Sequence, residues 1–158
     1  MRVARMLAVV SALAVMTGCS SGPSLEDAAA ELQKDTQRLE TDDVFKNPLS
    51  KLNILERPDK DIPCGNGKFR RILRATADYE RKAPDVDGHL DLAQTLMENT
   101  LAQLFGYKLE YDFSQTDKED GRLIRGEKKD LGITVTVDVL PDSPTWRLRS
   151  ETPCLSRG

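Results

Sequence analysis

Leu131-Gly132-Ile133-Thr134-Val135-Thr136-Val137-Asp138-Val139 places an apolar side chain at every second position. A period of two is the repeat of a β-strand, whose successive side chains point to opposite faces. Leu131, Ile133, Val135, Val137 and Val139 therefore form a buried face, and Thr134, Thr136 and Asp138 form a wet one. A strand of this kind belongs to a sheet covered on one side only.

The segments on either side repeat the pattern. Tyr107, Leu109, Tyr111 and Phe113 alternate with Lys108, Glu110 and Asp112, and Trp146 and Leu148 alternate with Arg147 and Arg149. A further strand is predicted from Arg122 to Lys128. The turns between them are short and polar: Asp117 to Gly121, Lys129-Asp130, and Pro141-Asp142-Ser143-Pro144. Short turns force neighbouring strands to run antiparallel, so the segment from 107 to 150 reads as a four-strand antiparallel meander.

The apolar period-two face needs a cover, and the spacing predicts a helix over 89–105. Leu90, Ala93, Met97, Leu101 and Leu104 recur at three and four residues, Asp87 serves as the cap, and Gly106 ends the helix. Phe69 to Tyr79 fits both a strand and a helix stripe; its turn glycines before and proline after favour the strand. The expected class is α+β: a two-layer sandwich in which the antiparallel meander is covered by one long amphipathic helix.

Ser24 with Asp27 three residues on begins another predicted helix, 25–39, with a thin, alanine-rich stripe that should dock weakly. From Glu40 to Pro63 turn residues and prolines break every period. The expected organisation is a signal segment at 1–18, a tether at 19–23, a helix and partly ordered segment at 24–61, and a domain at 62–155.

The first residues have a different character. Arg2 and Arg5 precede an uncharged run from Met6 to Met16, about 11 residues and too short to cross a hydrocarbon core of about 30 Å. The run ends in Met16-Thr17-Gly18-Cys19, which resembles the lipobox of bacterial lipoproteins. That resemblance implies lipidation at Cys19, cleavage before it, and a membrane anchor on the extracytoplasmic face. Residues 1–18 hold two of the 23 bases and none of the 26 acids. The mature chain would thus carry 21 bases against 26 acids, a net charge of −5 that argues against a nucleic-acid partner.

With Cys19 lipidated, Cys64 and Cys154 are left as a pair in an oxidising compartment, where a disulfide is expected. Two thiolates and a single histidine do not supply a zinc site. His89, next to a glycine at a helix start, reads as an exposed first-turn residue. No serine lies in a nucleophile elbow, and Asp117, Glu119 and Asp120 lack calcium-loop spacing. No catalytic set, cofactor or metal site is expected.

The lipobox, Cys64, Gly106-Tyr107 after the helix and the terminal Thr152-Pro153-Cys154 together resemble small uncharacterised actinobacterial lipoproteins. The resemblance covers roughly 24–155 and implies an envelope location; it carries over no functional residue. The expected function is that of a membrane-anchored cell-envelope lipoprotein, a non-enzymatic adaptor or binding module. Its candidate face is Lys108, Glu110, Asp112, Thr134, Thr136, Asp138, Arg147 and Arg149, and its partner an envelope protein or glycan. The alternative is a carrier of lipid or another apolar ligand, in a cavity lined by Leu96, Leu101, Leu109 and Tyr111.

Overall fold

The computed structural model describes residues 22–80, 83–111 and 120–157. The expectations at Cys19, Asp112 and Phe113 lie outside the described residues. The chain is a mixed α+β fold built on an antiparallel sheet. In chain order it forms α1 (Leu25–Thr41), α2 (Asp43–Lys46), a 3-10 turn (Pro48–Ser50), β1 (Asn53–Glu56), β2 (Ile62–Gly65), β3 (Lys68–Arg70) and β4 (Ile72–Ala77). There follow α3 (Val86–Asn99), a π-helical turn (Thr100–Leu104), β5 (Lys108–Glu110), β6 (Arg122–Lys128), β7 (Ile133–Val139) and β8 (Trp146–Glu151).

Six strands form one sheet in the order β1-β4-β8-β7-β6-β5, and every neighbouring pair is antiparallel. β2 and β3 pair separately. β4 lies near one edge and β5 at the other, so the chain between them must cross the sheet, and α3 lies on that crossing. The 69–79 segment is extended rather than helical, but the single strand expected there is divided: β3 ends at Arg70 and pairs with β2, and β4, Ile72–Ala77, enters the main sheet. β1 and β2 were not expected: β1 is a four-residue edge strand, and β2 contains Pro63, which a lateral strand accommodates.

Ile133, Val135, Val137 and Val139 are buried, as their alternation requires. They share one core cluster with Leu73, Ala75, Trp146 and Leu148 from the sheet, Leu90, Ala93, Met97 and Leu101 from α3, and Ala28, Leu32 and Leu39 from α1. Both long helices therefore serve the same core, where the sequence suggested a single cover. The weak docking expected of α1 is corrected. Small alanines let the helix approach closely, and of the two polar residues in its buried stripe Asp35 accepts from Tyr107 across the core while Thr36 donates to the Leu32 carbonyl of its own helix. The Ser24 and Asp27 capping box forms as expected.

Three further corrections concern the later elements. α3 starts at Val86, because Asp85 and not Asp87 is the cap; its carboxylate accepts from the Gly88 amide at 2.6 Å. His89 is buried at 3% exposure and stacks on Tyr79, whose ring also meets Trp146 at 5.5 Å. The strand expected from Tyr107 is shorter: Tyr107 is buried and Leu109 half-buried, but Tyr111 is 65% exposed and outside β5. Gly106, at φ +75°, reverses the chain after the helix, as a left-handed C′ residue does.

Cys64 of β2 and Cys154 after β8 are disulfide-bonded, with Cα atoms 6.1 Å apart. The bond joins the β2–β3 pair to the end of the chain, where Phe69 and Leu155 also exchange backbone hydrogen bonds of 2.8 and 2.9 Å.

Candidate functional site

Strand register decides which outward side chains stand together. Across β4, β8, β7 and β6, one row reads Arg74, Arg149, Thr136 and Arg125, with Glu110 of β5 beyond Arg125. The adjacent row reads Thr76, Arg147, Asp138 and Leu123, and the next reads Ile72, Glu151, Thr134, Glu127 and Lys108. All seven described members of the candidate face, Lys108, Glu110, Thr134, Thr136, Asp138, Arg147 and Arg149, therefore share one side of the sheet. Every buried residue of β7 points to the opposite side.

Two arginines that strand-by-strand reasoning left out complete the face. Arg125 could have been placed by its parity within β6. In the sequence Arg74 stands with Arg70 and Arg71 in a small basic cluster of the kind that is usually a solvated face, and nothing local shows that β4 lies beside β8. The cluster in fact disperses: Arg71 binds Asp61 at 2.8 Å and Arg70 reaches Glu151 at 3.7 Å, while Arg74 stands exposed on the sheet.

Arg74, Arg125, Arg147 and Arg149 are all exposed. Arg149 pairs with Glu151 at 2.8 Å; among the described residues the other three have no carboxylate within 4.0 Å. Arg74 and Arg149 are direct cross-strand partners. Like charges so placed work against pairing by a few tenths of a kcal/mol, a cost that their exposure to water limits. The rim is acidic: Glu56 stands opposite Arg74, Glu110 opposite Arg125, and Glu151 and Glu127 lie in the row below. Towards that lower end the face closes, since Ile72 is buried although it shares the side of Glu151.

A second polar cluster lies on the covered side. Lys128, opposite Ile133, sends its ammonium inward to Glu31 at 2.8 Å and to both oxygens of Asp35 at 2.8 and 2.9 Å. Asp35 is 1% exposed and also accepts from Arg38 at 2.7 Å and the Tyr107 hydroxyl at 2.8 Å. Burial by itself would raise the Glu31 carboxyl, but Lys128, with Lys34 and Arg38, outweighs it and holds the group down at about 2. Burial pushes the Tyr107 phenol far above its ordinary value, and Asp35 adds to the shift. Every charge here has a partner, so the cluster reads as a clasp between α1 and the sheet.

A cleft of about 550 Å³ opens beside this clasp, between α1, the turn after α3 and the β6–β7 turn. Charged side chains, Glu31, Arg38 and Lys129 among them, line much of it. The four residues named for an apolar cavity do not surround one space: Leu101 is fully buried in the core, and Tyr111 is exposed. Among the described residues no group of three or more His, Cys, Asp or Glu could hold a metal ion, and no helix is long and apolar enough to cross a membrane. Comparison with protein-family models, curated proteins and solved structures finds no match to this chain.

Proposed function

We propose that the chain is a membrane-anchored cell-envelope lipoprotein whose domain is a non-enzymatic adaptor or binding module working through the open sheet face. On this reading the fold is a two-layer sandwich with two helices on one side, and the strands from β5 to β8 form its meander. The carrying observation is the open outer face, on which, among the described residues, three of four exposed arginines lack an ion partner. The disulfide supports an oxidising compartment. From Cys19 to Leu25, where α1 begins, six residues span at most about 20 Å, which would keep the domain close to the membrane surface.

Two measurements test the reading. Cys19→Ala should release the protein from membranes or leave it unprocessed, because two acyl chains anchor stably where one does not. A processed Cys19→Ala protein that still fractionates with membranes removes the anchor. Hydrogen exchange with and without an envelope extract should protect β7 and β8 while leaving α3 unchanged. Protection of α3 alone would move the contact to the covered side.

A further inference from the structure

We propose that the open sheet face binds a linear anionic polysaccharide laid across the strands over Arg74, Arg149 and Arg125. This rests on the adaptor reading and names the partner class of that same face. Strands are about 4.8 Å apart, so the three arginines lie along a line of about 14 Å, with Thr136 between the second and third and Arg147 beside it. Guanidinium forks pair with carboxylate and phosphate oxygens in two-pronged fashion.

The arrangement separates this partner from three others. A planar anionic membrane would meet the whole face, where Glu56, Glu110, Glu127, Glu151 and Asp138 match Lys108 and the four arginines one for one. It would feel little net attraction. A narrow chain along the central row lies over three arginines, of which Arg149 is shared with Glu151, and meets the row's own acids only at its two ends, Glu56 and Glu110. A folded protein partner normally finds aromatic or aliphatic anchors at the centre of an interface and charge at its rim. Among the described residues the centre here is arginine and threonine, with Leu123 as its one aliphatic residue, half-buried.

An acidic peptide offers carboxylates to the arginines, but beyond its backbone amides it carries few hydroxyls. A charged sugar carries hydroxyls as well as anions. Thr136 can exchange hydrogen bonds with those hydroxyls, and Glu56 and Glu110 at the two ends of the row can accept them. The alternation of cation, hydroxyl and carboxylate on the protein thus complements anion and hydroxyl on the polymer.

The test uses the full chain, purified after export in a non-ionic detergent, and oligogalacturonate of about ten sugars as the probe. Calorimetry in low salt should show binding that weakens as salt screens exposed charges. Arg74→Ser with Arg125→Ser removes two exposed side chains that have no ion partner among the described residues, and should weaken binding about tenfold or more with unchanged melting. Lys34→Ser, on α1, should leave it unchanged. Dextran of the same length should not bind.

Absence of oligogalacturonate binding, or equal binding by the double variant, overturns the proposal. So does tighter binding of a poly-glutamate peptide, or salt-sensitive capture by phosphatidylglycerol vesicles that needs the same arginines. If an envelope extract protects β7 and β8 while oligogalacturonate does not bind, the glycan is wrong and the adaptor reading stands. If the extract leaves the face unprotected, the adaptor reading itself falls.

Discussion

Replacing Lys128 with methionine should expose how much of the fold hangs on the clasp between α1 and the sheet. The substitution keeps the aliphatic stem over the Tyr107 ring, which the ammonium overlies at 4.7 Å, and deletes only the charge. Asp35 then loses the donor serving both of its oxygens and keeps Arg38 and the Tyr107 hydroxyl. Breaking a buried ion pair by removing one partner costs about 3–5 kcal/mol. Because Arg38 remains, the lower end applies, about 3 kcal/mol, or roughly 10 °C in Tm for a chain of this size. The lone tryptophan, Trp146, is 1% exposed and donates its indole N–H to the Ala93 carbonyl, so its fluorescence reports unfolding of the core directly.

The pH dependence supplies an independent check. Glu31 has a folded pKa of about 2 against an ordinary 4.5. A depressed carboxylate stabilises the folded state above its unfolded pKa and loses that contribution as pH falls, here between about 4.5 and 2. Without Lys128 the depression shrinks, so the acid limb of a Tm profile should be shallower in the variant than in the parent. Asp35→Asn combined with Lys128→Met removes the buried charge along with its partner and should recover much of the loss. A Tm shift below 2 °C for Lys128→Met, or a double variant as unstable as the single, refutes the clasp as a stability element.

Two more outcomes follow from the covalent and backbone geometry. Reduction of the Cys64–Cys154 bond, which closes a sequence separation of 90, should destabilise the domain by about 4–5 kcal/mol, and the denatured, oxidised domain should titrate no free thiol at either position; two thiols before reduction would contradict the bond. Gly121→Ala should lower Tm more than Gly106→Ala, because the new Cβ at 121 lies 2.7 Å from the Val139 carbonyl oxygen at φ +136°, whereas 106 has open space at φ +75°; equal shifts would show that the strand neighbours yield freely.

The parts of the fold legible in the sequence are those encoded within a single element. β7 announces itself because its apolar and polar residues alternate without a break, and the apolar stripe of α3 does the same at helical spacing. The disulfide was legible from cysteine number together with the oxidising compartment that the expected export signal implies. What local reading missed depends on a distant partner. Asp35 weakens the apolar stripe of α1 when read alone, yet it is buried because Lys128 and Tyr107, 93 and 72 residues away, supply its donors. His89 beside a glycine looked exposed, and it is the Tyr79 ring that covers it. β1 has four residues and two exposed side chains, too little pattern to signal a strand, and exists because β4 offers it an edge.

The same distinction governs the candidate site. Parity within a strand correctly puts Arg147 and Arg149 on one side and Trp146 and Leu148 on the other. It says nothing about which strand comes next, and a row across a sheet is a property of strand order. A continuous strand path ending at β8 would leave Arg147 and Arg149 at a sheet edge, with Thr136 and Asp138 as their only neighbours. Insertion of β4 and β1 beyond β8 turns that edge into an interior, sets Arg74 directly opposite Arg149, and brings Glu56 to the far end of the row. The charge pattern on which recognition would depend is thus made by the β4–β8 pairing, between segments some 75 residues apart. Weakening that pairing should disperse the arginine row while leaving every residue of the face exposed. A partner that reads the row would then be lost together with the register, whereas one that reads only net charge would still bind.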